Sequence, residues 1–204
     1  MKELAINHPE AISTAVSLIE EGKLIAFPTD TVYGIGVSAF NPRAVNRLYQ
    51  VKQRELSKAI PILIGQNQDL EKVVSEVSAD VEKLIQAFWP GPLTLILPIK
   101  TGLPANLSPG NTIGVRHPDL KFSRDLLCRT GPLAVTSANI SGQPSARSAP
   151  EVKDQLNEQM ALLLDGGKTP GGTASTVLDC TGKAWQILRE GPVTIGEIRG
   201  AVDR

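Results

Sequence analysis

Aromatic side chains are scarce: Phe, Trp and Tyr make up 4% of the 204 residues, against 41% hydrophobic residues overall. The core must therefore rest on Val, Ile, Leu and Ala. Net charge is missing too, with 21 basic residues balanced by 21 acidic ones, so no global field draws the chain to nucleic acid or an anionic membrane. Cysteine is limited to Cys128 and Cys180, whose spacing matches no metal motif; buried free thiols in a reducing compartment are expected. His8 and His117 are the only histidines, and no zinc centre or Ser-His-Asp set can be assembled around them with any specificity. His8 reads as a solvated residue beside a helix start, and His117, ahead of Pro118, as a turn residue. There is no 18-residue apolar run, and the opening MKELAINHPEAIS lacks the apolar stretch of a signal peptide. A soluble, cytoplasmic protein without membrane contact is expected.

What is present is an interleaving of helical and strand patterns. Pro9 opens a helix with apolar positions Ile12, Ala15, Val16 and Ile19, closed by Gly22. Asn41 and Pro42 form a cap and first position for a helix through about Val51, and Ser78 caps another that ends near Trp89 at the PGP break. KFSRDLLCRT reads as a helix, Ser148 with Glu151 as a capping box, and Thr194 with Glu197 as the cap of a last helix. Strands are expected at 24–27, 31–37, 59–64, LTLILPI, 112–116, PLAVTSA, ALLLD, STVLDC and AWQILRE. A Thr-Gly turn joins the last two as a hairpin, so the sheet should be mixed. Without repeats or low-complexity linkers, residues 1–204 read as one α/β domain, a twisted mixed sheet with helices packed on it. The last helix runs nearly to Arg204, so no further C-terminal domain is expected.

Two glycine motifs invite nucleotide readings. GIGVSA at 34–39 fits G-x-G-x-x-G/A, with Glu55 downstream for a ribose contact. The fingerprint, however, needs a tight turn directly after a strand and a helix opening at the glycines. Here polar residues from Pro28 onward separate strand from motif, and the helix start, Asn41, comes after it. Gly34 and Gly36 are better read as points where the backbone packs closely beneath a site, with Tyr33 as a pocket wall. DGGKT at 165–169 is not a P-loop, because the required first glycine falls on Leu162. GGKTPGGTAST is expected to be a flexible loop leading into a strand.

Four polar clusters follow strand-like segments: TDT (29–31), VKQRELSK (51–58), TIGVRHP (112–118) and VTSANISGQPSA (135–146). Segments leaving strand ends converge on one crevice in α/β folds, and the chemistry these offer is anion binding. From Arg43 to Lys58 the chain carries five basic residues and one acid, Glu55. Lys52, Arg54 and Lys58 suit a polyphosphate, although a basic run at a helix end is also an ordinary solvated face. Arg116, alone in an apolar strand, suits a carboxylate or phosphate, and it needs a partner, either a ligand or an internal carboxylate. Ser137, Asn139, Ser141 and Ser145 place hydroxyls and an amide on a loop able to wrap a ligand, or simply to turn. These residues reach as far as a phosphate- and carboxylate-binding α/β enzyme.

FPTDTVYGIG, YQVKQRELSKAIPILI, WPGPLTLIL, TIGVRHP, VTSANISGQPS and STVLD with ILREGPVT, in that order along nearly the whole chain, resemble the YrdC/TsaC family, the L-threonylcarbamoyladenylate synthases. The resemblance implies a YrdC-like fold with an open basic crevice. It implies an enzyme that converts L-threonine, bicarbonate (or CO2) and ATP to threonylcarbamoyl-AMP and pyrophosphate. A downstream transferase then modifies a tRNA adenosine. Carried over residue by residue, it implies catalytic roles for Lys52 and Arg54. Arg54, Lys58, Thr112, Ser137, Asn139, Ser145 and Arg189 would bind ATP, and Thr31, Arg116 and Ser175 threonine. Mg2+ would ride on the phosphates without direct protein ligands, and a weak tRNA contact is compatible with the 43–58 run. Glu55 departs from the pattern, where proline commonly follows the arginine, so it should point away from the phosphates. Lys52 and Arg54 are expected to face solvent in the cleft. Two other readings share the fold: the carbamoyl-transfer module of hydrogenase-maturation proteins, whose upstream Cys-rich zinc segments are missing here, and an RNA-binding module without catalysis.

Overall fold

The computed structural model describes residues 1–156, 159–182 and 184–203. Along the chain come β1 (Lys2–Ala5), α1 (Ala11–Glu20), β2 (Ile25–Phe27), β3 (Gly34–Ser38), α2 (Pro42–Lys52) and β4 (Ile62–Leu63). After a 3-10 segment (Asn67–Lys72) follow α3 (Ala79–Phe88), β5 (Leu93–Pro98), β6 (Thr112–Arg116), α4 (Lys121–Thr130) and β7 (Leu133–Ser137). The chain continues with α5 (Ala149–Leu156), β8 (Leu162–Asp165), β9 (Thr176–Asp179), β10 (Gln186–Arg189) and α6 (Ile195–Val202). All ten strands join one sheet in the order β1-β8-β2-β3-β7-β4-β6-β5-β9-β10. The sheet is mixed as expected: β8 lies parallel to β1 and β2, while β3 runs antiparallel to both β2 and β7. The antiparallel β2–β3 pair also removes the βαβ unit a dinucleotide fingerprint requires. β1 escaped the sequence reading because KELA is half charged and mostly exposed.

Helix ends follow local chemistry. The Asn41 side chain accepts the Arg43 and Ala44 amides, both at 3.1 Å, and Pro42 occupies the first turn. Ser78 accepts the Val81 amide at 3.4 Å, and Thr194 and Glu197 form a reciprocal capping box. Before α5 the pattern shifts by one residue: Glu151 accepts the amide of Arg147 at 2.8 Å rather than that of Ser148.

Strand alternation divides the interior in two. Ile25, Phe27, Leu162 and Leu164 pack under Ala15 and Ile19 of α1 and Leu126 and Leu127 of α4. Ala26, Leu163, Ile35, Val37, Leu93, Leu95, Ile113 and Val115 point to the other face, into a larger core with residues of α2, α3, α5 and α6. Where α1 and α4 stop, the first face is left open. Its alternate positions, Thr94 and Ile96, Gly114 and Arg116, and Val177, line a cleft. The cysteines depart from expectation: both are free, but Cys128 is exposed and Cys180 half-buried.

Glycines make room for this arrangement. A Cβ on Gly34 would fall 2.6 Å from Val135 Cγ1, and one on Gly36 would fall 2.8 Å from Val135 Cγ2. Gly34→Ala should therefore cost about 1–3 kcal/mol by overpacking, and far less when Val135→Ala removes the obstructing methyl. Urea denaturation of the two single variants and the double variant measures this; simple additivity would show that Val135 is not the obstacle.

Candidate active site

The turn leaving β2 is held by its own hydroxyls. Thr29 Oγ1 donates to the Val32 carbonyl at 2.7 Å and accepts the amides of Thr31 and Val32 at 3.2 and 3.3 Å. With its proton so used, Thr29 must accept the 2.9 Å bond from the Thr31 hydroxyl. That orientation turns the lone pairs of Thr31 to Arg116, whose Nη1 donates to it at 2.8 Å. Arg116 Nε donates to the Gly91 carbonyl at 2.9 Å, and Nη2 pairs with the Asp30 carboxylate. Burial pulls the Arg116 pKa down and Asp30 resists. Of the two partners left open by the sequence, an internal carboxylate is therefore present, yet two of the five N–H groups have no acceptor among the described residues.

The glycine loop after β8 is not free, as had been expected, but packed onto this turn. Gly171 and Gly172 donate their amides to the Asp30 and Thr31 carbonyls at 3.0 and 2.8 Å, and a Cβ on Gly171 would meet the Asp30 carbonyl oxygen at 2.6 Å. Tyr33, in the cleft wall, fixes the near end of the loop. Its hydroxyl donates to the Gly167 carbonyl at 2.8 Å and accepts the Gly166 amide at 3.0 Å. Burial raises its pKa to about 12.

α2 ends with Gln53 in the left-handed conformation, φ 50, which sends its neighbours in opposite directions. Arg54 enters the cleft lining while donating to the Lys58 and Ala59 carbonyls at 3.0 and 2.8 Å. Lys52 does not face solvent as expected; it is 1% exposed and points beneath the loop after β7. Its Nζ donates to the Ser137 carbonyl at 2.6 Å, to the Asn139 carbonyl, and to Asn139 Oδ1 at 3.4 Å. Burial, then the charge of Arg54, lowers its pKa to about 7. A lysine on a polar helix end reads as solvated; only its partners, more than eighty residues away, make the interior tenable.

On the far wall, a register shift between Ile187 and Arg189 sets two β10 residues against one of β9. This bulge leaves Leu188 outside, 53% exposed, and turns Arg189 into the cleft. The guanidinium donates to the Ser175 carbonyl through Nε and Nη2 at 3.0 and 2.8 Å, and to Ser175 Oγ at 3.1 Å. Ser175 Oγ in turn bonds Thr94 Oγ1 at 2.8 Å. Partial burial, then the charges of Arg116 and Arg54, lower the Arg189 pKa.

The cleft holds about 290 Å³. Of the residues singled out by sequence, Thr31, Arg54, Arg116, Ser137, Ser175 and Arg189 line it. Lys52, Lys58, Thr112, Asn139 and Ser145 lie outside the lining. Lys58 is exposed and bonded to Glu55 at 3.3 Å, an ion pair of little energetic weight; Glu55 is exposed and off the cleft, as expected. Thr112 begins the strand that Arg116 ends, roughly 13 Å away. Asn139 is buried, its amide donating to the Ile140 and Gln143 carbonyls, both at 2.8 Å, and Ser145 is half-buried. His117 is buried beyond the cleft, bonded to Asn67 Oδ1 at 2.9 Å. Sequence reasoning placed Thr29 and Asp30 in the TDT cluster without giving either a role, and it missed Thr94. Thr94 was findable as the polar residue in LTLILP; Asp30 pairs with a residue 86 positions away and left no local signal.

Among the described residues three guanidiniums and no carboxylate line this cleft, a lining whose charge is complementary to small anionic molecules. The Sua5/YciO/YrdC family model, described as telomere recombination, matches residues 17–191. The chain belongs to this family. It is 38% identical over 193 residues to the threonylcarbamoyl-AMP synthase of Pyrococcus abyssi, covering 94% of this chain and 57% of that protein. To the Bacillus subtilis threonylcarbamoyl-AMP synthase it is 37% identical, covering 98% and 58%; to a Mycobacterium leprae relative, 38%, covering 92% and 86%. The chain thus spans little more than half the length of the P. abyssi and B. subtilis proteins. The crystal structure of P. abyssi Sua5 complexed with L-threonine superposes with a TM-score of 0.91 at 38% identity, covering 94% of this chain and 57% of that one. Escherichia coli YciO superposes at 0.84 with 26% identity, covering 96% of each. Among the described residues no three His, Cys, Asp or Glu side chains gather as a metal site, and no helix is long and apolar enough to cross a membrane.

Proposed function

We propose that residues 1–204 act as one YrdC-like domain that is a cytoplasmic L-threonylcarbamoyladenylate synthase. It condenses L-threonine, bicarbonate or CO2, and ATP to threonylcarbamoyl-AMP and pyrophosphate. The observation that carries this reading is the convergence of Arg54, Arg116 and Arg189 on one cleft without a carboxylate among its lining residues. Arg116, fixed by Asp30 and Gly91, presents its spare N–H groups to the threonine carboxylate beside Thr31. Arg54 and Arg189 take the phosphates, with Ser137 at the nucleotide end. Lys58 would join them by leaving Glu55, and Lys52 acts through Ser137, whose carbonyl it holds. Thr112, Asn139 and Ser145, outside the lining, shape this end of the site.

In the reaction the threonine nitrogen bonds the carbon of CO2 and releases a proton, giving a carbamate. A carbamate oxygen attacks the α-phosphorus of ATP, and the bond to the β-phosphate oxygen breaks as pyrophosphate leaves. Two anions must approach, so the site works by positioning and charge neutralisation. No side chain is assigned as a general base. Mg2+ bound to the nucleotide would add charge neutralisation at the phosphates that Arg54 and Arg189 face, without a direct protein ligand. The adenylate passes to a separate transferase that modifies tRNA. The exposed Arg43 and Arg47 of α2, on a segment without an acid from Asn41 to Arg54, favour a weak tRNA contact; this is also the observation behind a purely RNA-binding reading.

Pyrophosphate release measured with each substrate omitted in turn separates these readings. Release is expected only when ATP, threonine and bicarbonate are all present. Turnover without threonine would sink the proposal, and salt-sensitive tRNA binding without any release would favour the RNA-binding module.

A further inference from the structure

Thr94, a residue with no role in the proposed chemistry so far, stands beside both ends of the threonine site. β5 and β6 pair antiparallel with Leu95 opposite Val115, so one step along the register Thr94 comes level with Arg116. Both side chains rise from the same sheet face into the cleft, roughly one strand spacing of 4.8 Å apart. On its other side β5 lies parallel to β9, with Leu93 opposite Thr176. That brings Ser175 alongside, and the two hydroxyls bond at 2.8 Å.

Counting protons defines what this pair can offer. Ser175 Oγ accepts from Arg189 Nη2, so its bond with Thr94 consumes one of the two hydroxyl protons, whichever residue donates it. One hydroxyl proton is left over, and among the described residues it has no protein acceptor. Both residues are buried, at 5% and 4% exposure, so solvent is a poor substitute. A buried donor without a partner is costly, and a ligand that lacks the matching acceptor leaves it so.

We infer that the Thr94–Ser175 hydroxyl pair reads the side-chain hydroxyl of the substrate, making Thr94 a specificity-determining residue. The inference rests on the threonine reading of this cleft and deepens it. With the carboxylate on Arg116, a β-hydroxyl lies three bonds away, across the neighbouring strand where the spare proton sits. The class selected is an α-amino acid bearing a β-hydroxyl. An amino acid of the same length without the oxygen strands the donor and is refused. Gly114 makes the crossing passable: a Cβ there would meet Thr94 Cγ2 at 3.2 Å and Pro61 Cβ at 3.3 Å.

The test is calorimetric binding of L-threonine and of L-2-aminobutyrate, which lacks only the hydroxyl and keeps the carbon chain. It is run without ATP on the wild type, Thr94→Val and Thr94→Ser. The wild type is expected to prefer threonine. Thr94→Val, which keeps the shape but frees Ser175 to rotate, should lose roughly tenfold of that preference through weaker threonine binding. Thr94→Ser, retaining the hydroxyl, should keep most of it, which a merely structural role would not predict. An unchanged preference in Thr94→Val, with melting temperature intact, overturns the inference while leaving the synthase reading standing. Failure of the wild type to bind either amino acid would instead strike at the threonine reading itself.

Discussion

Arg116→Ala should abolish pyrophosphate release and lower the melting temperature by about 10 °C. Both effects follow from one set of bonds. The guanidinium is buried among the Asp30 carboxylate, the Thr31 hydroxyl and the Gly91 carbonyl, and truncation leaves Asp30 charged and without its counter-ion. Breaking a buried pair by removing one partner costs about 3–5 kcal/mol, and each kcal/mol moves a domain of this size by about 2–4 °C. Stability and chemistry can be separated by Asp30→Asn with Arg116→Met, which removes both charges and keeps most of the volume. The double variant should regain much of the lost melting temperature and none of the turnover. Turnover surviving in either variant would mean that the carboxylate anchor lies elsewhere.

Lys52→Met is expected to destabilise the protein increasingly as pH rises, and to weaken nucleotide binding at every pH. The Ser137 and Asn139 carbonyls lose their shared donor, at about 1–3 kcal/mol for each one left without a partner, and Ser137 is itself in the cleft lining. The pH dependence follows from the lowered pKa of Lys52, about 7 in the fold against an ordinary value of 10.5. Between those values the unfolded chain holds the proton and the folded chain does not. Wild-type stability therefore climbs relative to the methionine variant, by at most about 1.4 kcal/mol per pH unit. Below pH 7 both states are protonated and the difference levels off. Urea midpoints for both proteins from pH 6 to 9 decide the matter: a difference that stays flat would mean that the carbonyl cage keeps the ammonium at its ordinary pKa.

These two residues also mark the limit of what the sequence discloses. Capping is local, so Asn41 with Pro42, Ser78, and Thr194 with Glu197 each announced a helix start that the structure contains. Apolar patterning announced the strands other than β1, and each of the four polar clusters sends at least one residue into the cleft lining. Side-chain direction at an element's end was not legible. Lys52 and Arg54 are two positions apart in a basic run and look equivalent, yet the left-handed Gln53 between them buries one and opens the other to the cleft. The inward turn of Arg189 depends on a bulge, which a count of alternating residues in QILR cannot reveal. The Asp30–Arg116 pair exists only because β6 ends beside the turn after β2, a fact of topology rather than of composition.

The two walls of the cleft differ in how firmly the sheet grips them. Arg116 ends a strand flanked on both sides, by β4 and β5, whereas Arg189 stands on β10, an edge strand that among the described residues pairs with β9 alone. Margins of a sheet fray with a small free-energy cost, and central strands open only when the whole domain does. One anion anchor is thus stiff and the other yielding, a clamp with a fixed jaw and a spring-loaded one. In the proposed reaction the fixed jaw keeps the amino-acid end in register. Loosening that one edge strand would free the phosphate end while the rest of the sheet stays in place.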